Sequence, residues 1–115
     1  MIAKTASCEH LLESRLGRNY CTFVGRGATG IYVALKALGL KKGKVILPNI
    51  CCPSPAAVTT IAGLTPLFCD VTLKDFGLCP DKLEKLLLQH SDIVAIIAVH
   101  LYGIPCQIDL ITQLS

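Results

Sequence analysis

The chain alternates short apolar runs with segments of helical periodicity, and this alternation constrains its fold more than any other feature. Strand-like apolar runs occupy residues 20–24, 44–48, 66–71 and 92–100. Helical patterns cover residues 8–17, 54–63 and 108–114. Another places residues 31–38 on one helical face, and a further one opens at Pro80. Strands that alternate with helices at such intervals are joined by crossovers and form a parallel sheet. The sequence therefore predicts an α/β fold with a mostly parallel sheet flanked by helices.

Several residues predict where these elements begin and end. Gly17 and Gly39 each follow a helical pattern and suit its carboxyl end. Ser54 followed by Pro55 is typical of an N-cap and first helical turn. Pro80 is expected to open the helix that follows the third apolar run.

Composition narrows the class of protein. With 115 residues, 52% of them hydrophobic and 17% charged, the chain suits one domain whose strands are buried on both faces. A net charge of +3 and the absence of Trp argue against a nucleic-acid partner. The longest unbroken apolar run, residues 93–99, is too short for a bilayer, and the first residues do not resemble a signal peptide. We therefore expect a cytoplasmic protein with no membrane partner.

The cysteines are numerous but lack a metal-binding pattern. There are seven, with no CxxC spacing, and Cys51 and Cys52 are adjacent, which is poor geometry for two ligands of one metal. Others, such as Cys21 and Cys69, lie in apolar runs, where a free thiol behaves as a small hydrophobe. The sequence predicts reduced thiols and no metal site.

A glycine-rich loop is the clearest candidate for a binding site. Gly25, Gly27 and Gly30 have the G-x-G-x-x-G spacing of a dinucleotide fingerprint and precede a helix. A dinucleotide site also needs an acidic residue about 20 positions later, yet residues 26–68 contain no Asp or Glu. Two alternatives stay open. The loop can bind another phosphate through backbone amides, or it can be a tight turn that needs glycine for its conformation.

Four ordered segments, considered together, carry a resemblance. They are GRGATGIYVALKALG, VILP, AGLTPLFCDV and VHLYGIP. On these segments the chain resembles the DegT/DnrJ/EryC1/StrS family of pyridoxal-phosphate (PLP)-dependent sugar aminotransferases, in register from about residue 11 to residue 111. The resemblance implies the N-terminal portion of the large domain of a fold type I PLP-dependent transferase. Residues 1–115 would then be a single partial domain without the C-terminal small domain.

The resemblance also implies a set of site residues. The family segment that matches Gly27, Ala28 and Thr29 binds the cofactor phosphate through backbone amides and a hydroxyl, which Thr29 would supply here. The position matching Cys52 commonly holds an aromatic residue that stacks on the pyridine ring. His100 and Tyr102 lie at the end of a strand and are candidates for substrate contact.

In this family the complete enzyme transfers an amino group, commonly from glutamate, to a keto-sugar nucleotide, and it acts as a homodimer. The lysine that holds the cofactor and the acidic partner of its ring nitrogen lie in family segments beyond those matched here. We therefore assign no catalytic residue and expect a truncated chain that is inactive alone. The alternatives are a non-catalytic phosphate- or nucleotide-binding module that uses Gly25–Gly30, and a decayed, marginally folded product.

Overall fold

The computed structural model describes residues 2–115 of the chain. Its strands are β1 (Lys44–Pro48), β2 (Thr65–Cys69) and β3 (Ile93–Ile96). Its helices are α1 (Ile2–Leu16), α2 (Gly27–Ala37), α3 (Ser54–Ile61), α4 (Pro80–Gln89) and α5 (Ile108–Leu114), with a short 3-10 turn at Leu101–Gly103. Helices and strands alternate from α2 onward, as the sequence predicts.

The three strands form one parallel sheet in the order β2-β1-β3. β1 pairs with β2 from Lys44 opposite Thr65 to Pro48 opposite Cys69. On its other side β1 pairs with β3, where Ile46 lies opposite Ile96. The prediction of a parallel sheet is confirmed, and all three strands end at the same edge, which we call the carboxyl edge.

Helices cover both faces of the sheet. Val45 and Ile46 of the central strand are fully buried and, because side chains alternate along a strand, they point to opposite faces. Val45 packs with Leu35 of α2 and with the residues that follow α3. Ile46 packs with Leu83 of α4 and Ile111 of α5. This two-sided burial explains why residues 45–48 of β1 are all apolar, as expected for a strand inside a parallel α/β sheet.

The predicted boundaries hold for the glycines and fail for Ser54. Gly17 and Gly39 follow α1 and α2 with φ of 59° and 68°, the left-handed conformation that ends many helices. Pro55 lies in the first turn of α3, as predicted. The prediction that Ser54 is the N-cap is wrong, because Pro53 already has helical φ and ψ (−69° and −11°) and itself occupies the cap position.

The predicted strand over residues 20–24 is wrong. This segment has no regular secondary structure and belongs to no sheet. Its backbone amides are bound by helix side chains instead, since the Cys21 N–H donates to Glu13 Oε1 (2.9 Å) and the Phe23 N–H donates to Glu9 Oε1 (2.8 Å). Carboxylates of α1 thus take the place of a neighbouring strand, and α1 extends well beyond the predicted residues 8–17 to begin at Ile2.

The strand predicted over residues 92–100 is shorter than expected. β3 ends at Ile96, and pairing continues only through the Ile97 N–H, which donates to the Ile46 carbonyl at 2.8 Å. Because β1 ends at Pro48, it offers few further partners to the chain beyond Ile97. Residues 98–100 therefore leave the sheet and lead into a loop at the carboxyl edge.

The cysteines are all free thiols, and Cys69 and Cys106 are buried in the apolar core. Burial is the main cause that raises the pKa of the Cys69 thiol to about 11. Within residues 2–115 no group of three His, Cys, Asp or Glu side chains is placed to hold a metal ion. No helix in the same part of the chain has both the length and the apolar character needed to cross a bilayer.

Candidate functional site

The start of α2 lies at the carboxyl edge of the sheet. Residues 38–43 join the end of α2 to the beginning of β1, so the helix and the strand run in opposite directions. α2 also packs against α3, the helix that follows β1 along the chain. The glycine-rich loop therefore lies at the carboxyl edge, where α/β proteins bind ligands.

The first amides of α2 have no acceptor within the helix. The earliest helical hydrogen bond runs from the Gly30 N–H to the Arg26 carbonyl (3.2 Å). The N–H groups of Gly27, Ala28 and Thr29 precede it, and the extended residue Arg26 provides no side-chain cap. Three donors at the positive end of a helix form a site suited to an anion.

The glycines of this loop are not required by the backbone. None of Gly25, Gly27 and Gly30 has a positive φ. A Cβ atom added at Gly25 or Gly27 would meet nothing within 4 Å, and one at Gly30 would make an ordinary 3.4 Å contact with Val24. The interpretation as a tight turn that needs glycine for its conformation is therefore wrong. Because Gly25 and Gly27 have no side chains, the space beside the free amides of α2 is open.

The loop between β1 and α3 places Cys52 at the same edge. The Cys51 thiol lies within hydrogen-bond distance of two backbone acceptors, the carbonyl oxygens of Pro48 (3.4 Å) and Cys52 (3.2 Å). Burial, and secondly the nearby Cys52, raises the pKa of the Cys51 thiol, so this group stays protonated. Cys52 is exposed. Of the adjacent pair, Cys52 is therefore the thiol that a ligand can reach.

Two polar residues at the carboxyl edge were not identified from the sequence. Asn49 follows β1 and Asp70 follows β2. The Asn49 side-chain amide donates to Asp70 Oδ1 (3.2 Å), and its backbone N–H donates to the Cys69 carbonyl (2.9 Å). Both side chains are exposed, so they add an amide and a carboxylate to the surface of the edge. Their position immediately after predicted strands was the signal that could have indicated them.

His100 and Tyr102 belong to the loop that follows β3. The Cys106 N–H donates to His100 Nδ1 at 3.0 Å, so the ring proton of neutral His100 is on Nε2, which can donate to a ligand. Tyr102 has a φ of 55° and its side chain is 86% exposed. The loop thus presents one imidazole donor and one phenol at the carboxyl edge.

The strand order decides which of these residues are neighbours. β1 is central, so the Cys52 loop lies between Asp70, which follows β2, and the His100 loop, which follows β3. The start of α2 opens at the same edge. The structure thus brings the sequence-predicted residues to one edge, although in the described part of the chain no hydrogen bond joins the α2 amides to Cys52 or to His100.

Comparison with known proteins identifies a family and relatives that the chain resembles. Residues 3–115 match the model of the DegT/DnrJ/EryC1/StrS aminotransferase family. The chain is 32% identical over 102 residues to Protein MosB of Rhizobium meliloti, covering 88% of this chain and 20% of that protein. It is 33% identical over 100 residues to the GDP-perosamine synthase of Caulobacter vibrioides, covering 86% of this chain and 26% of the synthase.

A solved structure gives the same result for the fold. The crystal structure of NtdA from Bacillus subtilis with bound cofactor PMP superposes with a TM-score of 0.87 and 28% sequence identity. The match covers 95% of this chain and 25% of NtdA. The fold implied by the sequence resemblance is confirmed, and the chain spans about a fifth to a quarter of the length of the curated relatives it matches.

Proposed function

The chain belongs to the DegT/DnrJ/EryC1/StrS aminotransferase family, and from this premise we propose that it is the N-terminal part of the large domain of a PLP-dependent enzyme that acts on keto-sugar nucleotides. Residues 1–115 would form a single partial domain, and the small domain would lie outside them. The cofactor phosphate would bind at the start of α2. The exposed thiol of Cys52 would lie beside the cofactor ring.

The observation that carries this proposal is the open, donor-rich start of α2. A phosphate needs several N–H donors and space to approach them, and Gly27, Ala28 and Thr29 provide the donors. The space is provided by Gly25 and Gly27, where an added Cβ atom would meet nothing within 4 Å. The exposed Thr29 can add its hydroxyl to the same phosphate. A phosphate ester therefore fits the residues that are present.

The other residues at the carboxyl edge suit the remainder of the ligand. When bound, PLP supplies an electron sink for the reaction at the amino-bearing carbon. Cys52 can pack its polarizable sulfur against the cofactor ring, although with less area than the aromatic residue common in the family. His100 Nε2–H and the Tyr102 hydroxyl can donate to a polar substrate. These groups would orient the substrate relative to the cofactor.

The reaction that we propose for the whole protein is an amino transfer. An amino donor such as glutamate would give its amino group to a keto-sugar nucleotide and receive the carbonyl oxygen in exchange. The lysine and the acidic residue that this chemistry requires belong to family segments that the chain does not match. We therefore propose that residues 1–115 alone bind the cofactor without turnover. We propose that the whole protein is a cytoplasmic homodimer.

Equilibrium binding to the chain tests this proposal. Isothermal titration calorimetry would compare PLP with NAD and ATP, and we expect PLP to bind most tightly. The variant Thr29→Asp should abolish PLP binding, because a carboxylate beside the amides repels the phosphate while suiting the helix start. Thr60→Asp, which adds the same charge at an exposed position of α3, is the matched control. Tighter binding of NAD or ATP would favour a nucleotide-binding module instead.

A further inference from the structure

A buried carboxylate organises the turn that follows β2. Asp75 is 6% exposed, and its Oδ1 accepts from the Thr72 hydroxyl (2.6 Å) and the Gly77 N–H (2.9 Å). The hydrogen bond from Thr72, and then that from Gly77, lowers the pKa of Asp75, so this side chain is a carboxylate at neutral pH. These contacts use one oxygen of the carboxylate within its own turn.

The second oxygen of Asp75 reaches a distant part of the chain. Asp75 Oδ2 accepts from Gln107 Nε2 at 3.3 Å, and Gln107 immediately precedes α5. The same turn also packs directly on the neighbouring residue, since a Cβ atom added at Gly77 would lie 2.4 Å from the Cβ of Cys106. The turn after β2 and the start of α5 are therefore joined by a hydrogen bond and by close packing.

The start of α5 in turn fixes the His100 loop. The Cys106 N–H donates to His100 Nδ1 at 3.0 Å and closes a loop over residues 100–106. Within the loop, Tyr102 and Gly103 have φ of 55° and 78°, in the left-handed region. Cys106 is itself buried and held by Gly77. The orientation of the imidazole therefore depends on the position of the Cys106 amide.

We propose that Asp75 is a positioning residue for His100, and that it acts through Gln107. Asp75 would hold the start of α5 where the Cys106 N–H meets His100 Nδ1, which keeps the proton on Nε2 and directs that N–H to the carboxyl edge. Because Asp75 Oδ2 accepts from Gln107, the carboxylate links its own turn to the start of α5. A role of His100 in substrate binding rests on the proposed function. The link from Asp75 through Gln107 to the His100 tautomer does not depend on that function.

NMR of the ¹⁵N-labelled chain tests the proposal without any ligand. The variant Gln107→Glu has the same shape but sets a second carboxylate against Asp75. It should accelerate hydrogen exchange of the Cys106 amide by about threefold to tenfold, as expected for the loss of one hydrogen bond. It should also shift the His100 ring nitrogens from the Nε2–H tautomer towards a mixture of tautomers. Gln113→Glu, an exposed position of α5, is the matched control and should change neither signal.

The double variant Asp75→Asn with Gln107→Glu provides the rescue. It exchanges the amide and the carboxylate between the two positions, so exchange at Cys106 and the His100 tautomer should return to the wild-type values. Unchanged signals in a folded Gln107→Glu variant, or no recovery in the double variant, would overturn the proposal. A failure of PLP to bind would contradict the proposed function but would leave these ligand-free signals as they are.

Discussion

Replacing Gly27 by Ala should strengthen the fold and weaken cofactor binding. Gly27 is the first residue of α2, it has no positive φ, and a Cβ atom added there meets nothing within 4 Å. The methyl group therefore has no steric cost within the chain. Replacing Gly by Ala where the backbone permits it stabilises a protein by about 0.4–1 kcal/mol, because the unfolded chain loses freedom. For a domain of this size that corresponds to a rise in melting temperature of about 1–6 °C.

The same methyl group should obstruct the ligand. It would occupy the open space beside the amides of Gly27, Ala28 and Thr29, where we place the phosphate. We expect the Kd for PLP to rise at least about tenfold, a loss of about 1.4 kcal/mol of binding free energy. Thermal unfolding followed by circular dichroism measures the first effect, and calorimetric titration with PLP measures the second.

Gly39→Ala is the matched control at the other end of α2. A Cβ atom at Gly39 also meets nothing within 4 Å, but Gly39 has a φ of 68°. Ala should therefore destabilise the chain there by about 1 kcal/mol and leave PLP affinity unchanged. The reasoning is refuted if Gly27→Ala destabilises the chain as Gly39→Ala does, or if it binds PLP as tightly as the wild type.

Three further predictions follow from individual contacts. Cys52→Tyr should lower the Kd for PLP by about threefold to tenfold in calorimetry, because an aromatic ring can stack on the cofactor; an unchanged Kd would place Cys52 away from the ring. Gly77→Ala should lower the free energy of unfolding by about 1–3 kcal/mol in urea, because its Cβ atom would lie 2.4 Å from the Cβ of Cys106; wild-type stability would contradict the close packing. Hydrogen bonds from Thr72, Gly77 and Gln107 lower the pKa of Asp75 in the folded state. The contribution of this carboxylate to stability is therefore complete above about pH 4, and it is lost as the pH falls through the lowered pKa. Asp75→Asn should therefore flatten the dependence of the urea midpoint on pH below about pH 4, and an unchanged slope would contradict this assignment.

Much of the fold could be predicted because its signals are local. The apolar run of β1 reflects burial on both faces, and Gly39 and Pro55 mark helix ends through their own backbone preferences. Residues 20–24 show where such signals fail. Their apolar character suits a strand, but a strand needs a neighbour, and Glu9 and Glu13 bind the backbone amides instead.

The candidate site was only partly predictable for the same reason. The glycine spacing located the loop, but the open space and the ordinary φ values at Gly25 and Gly27 are properties of the folded chain. The hydrogen bond between Asp75 and Gln107 joins residues 32 positions apart, and no local sequence pattern predicts it. Residues that meet through tertiary structure have to be found in the structure.

A titration of the ¹⁵N-labelled chain with PLP tests the central claim most directly. If the start of α2 binds the cofactor phosphate, the backbone amide signals of Gly27, Ala28 and Thr29 should shift the most, and they should saturate together. The variant Thr29→Asp should show no such shifts. The account is contradicted if PLP leaves these three amides unchanged, or if its largest effects fall at the opposite edge of the sheet, around Lys44.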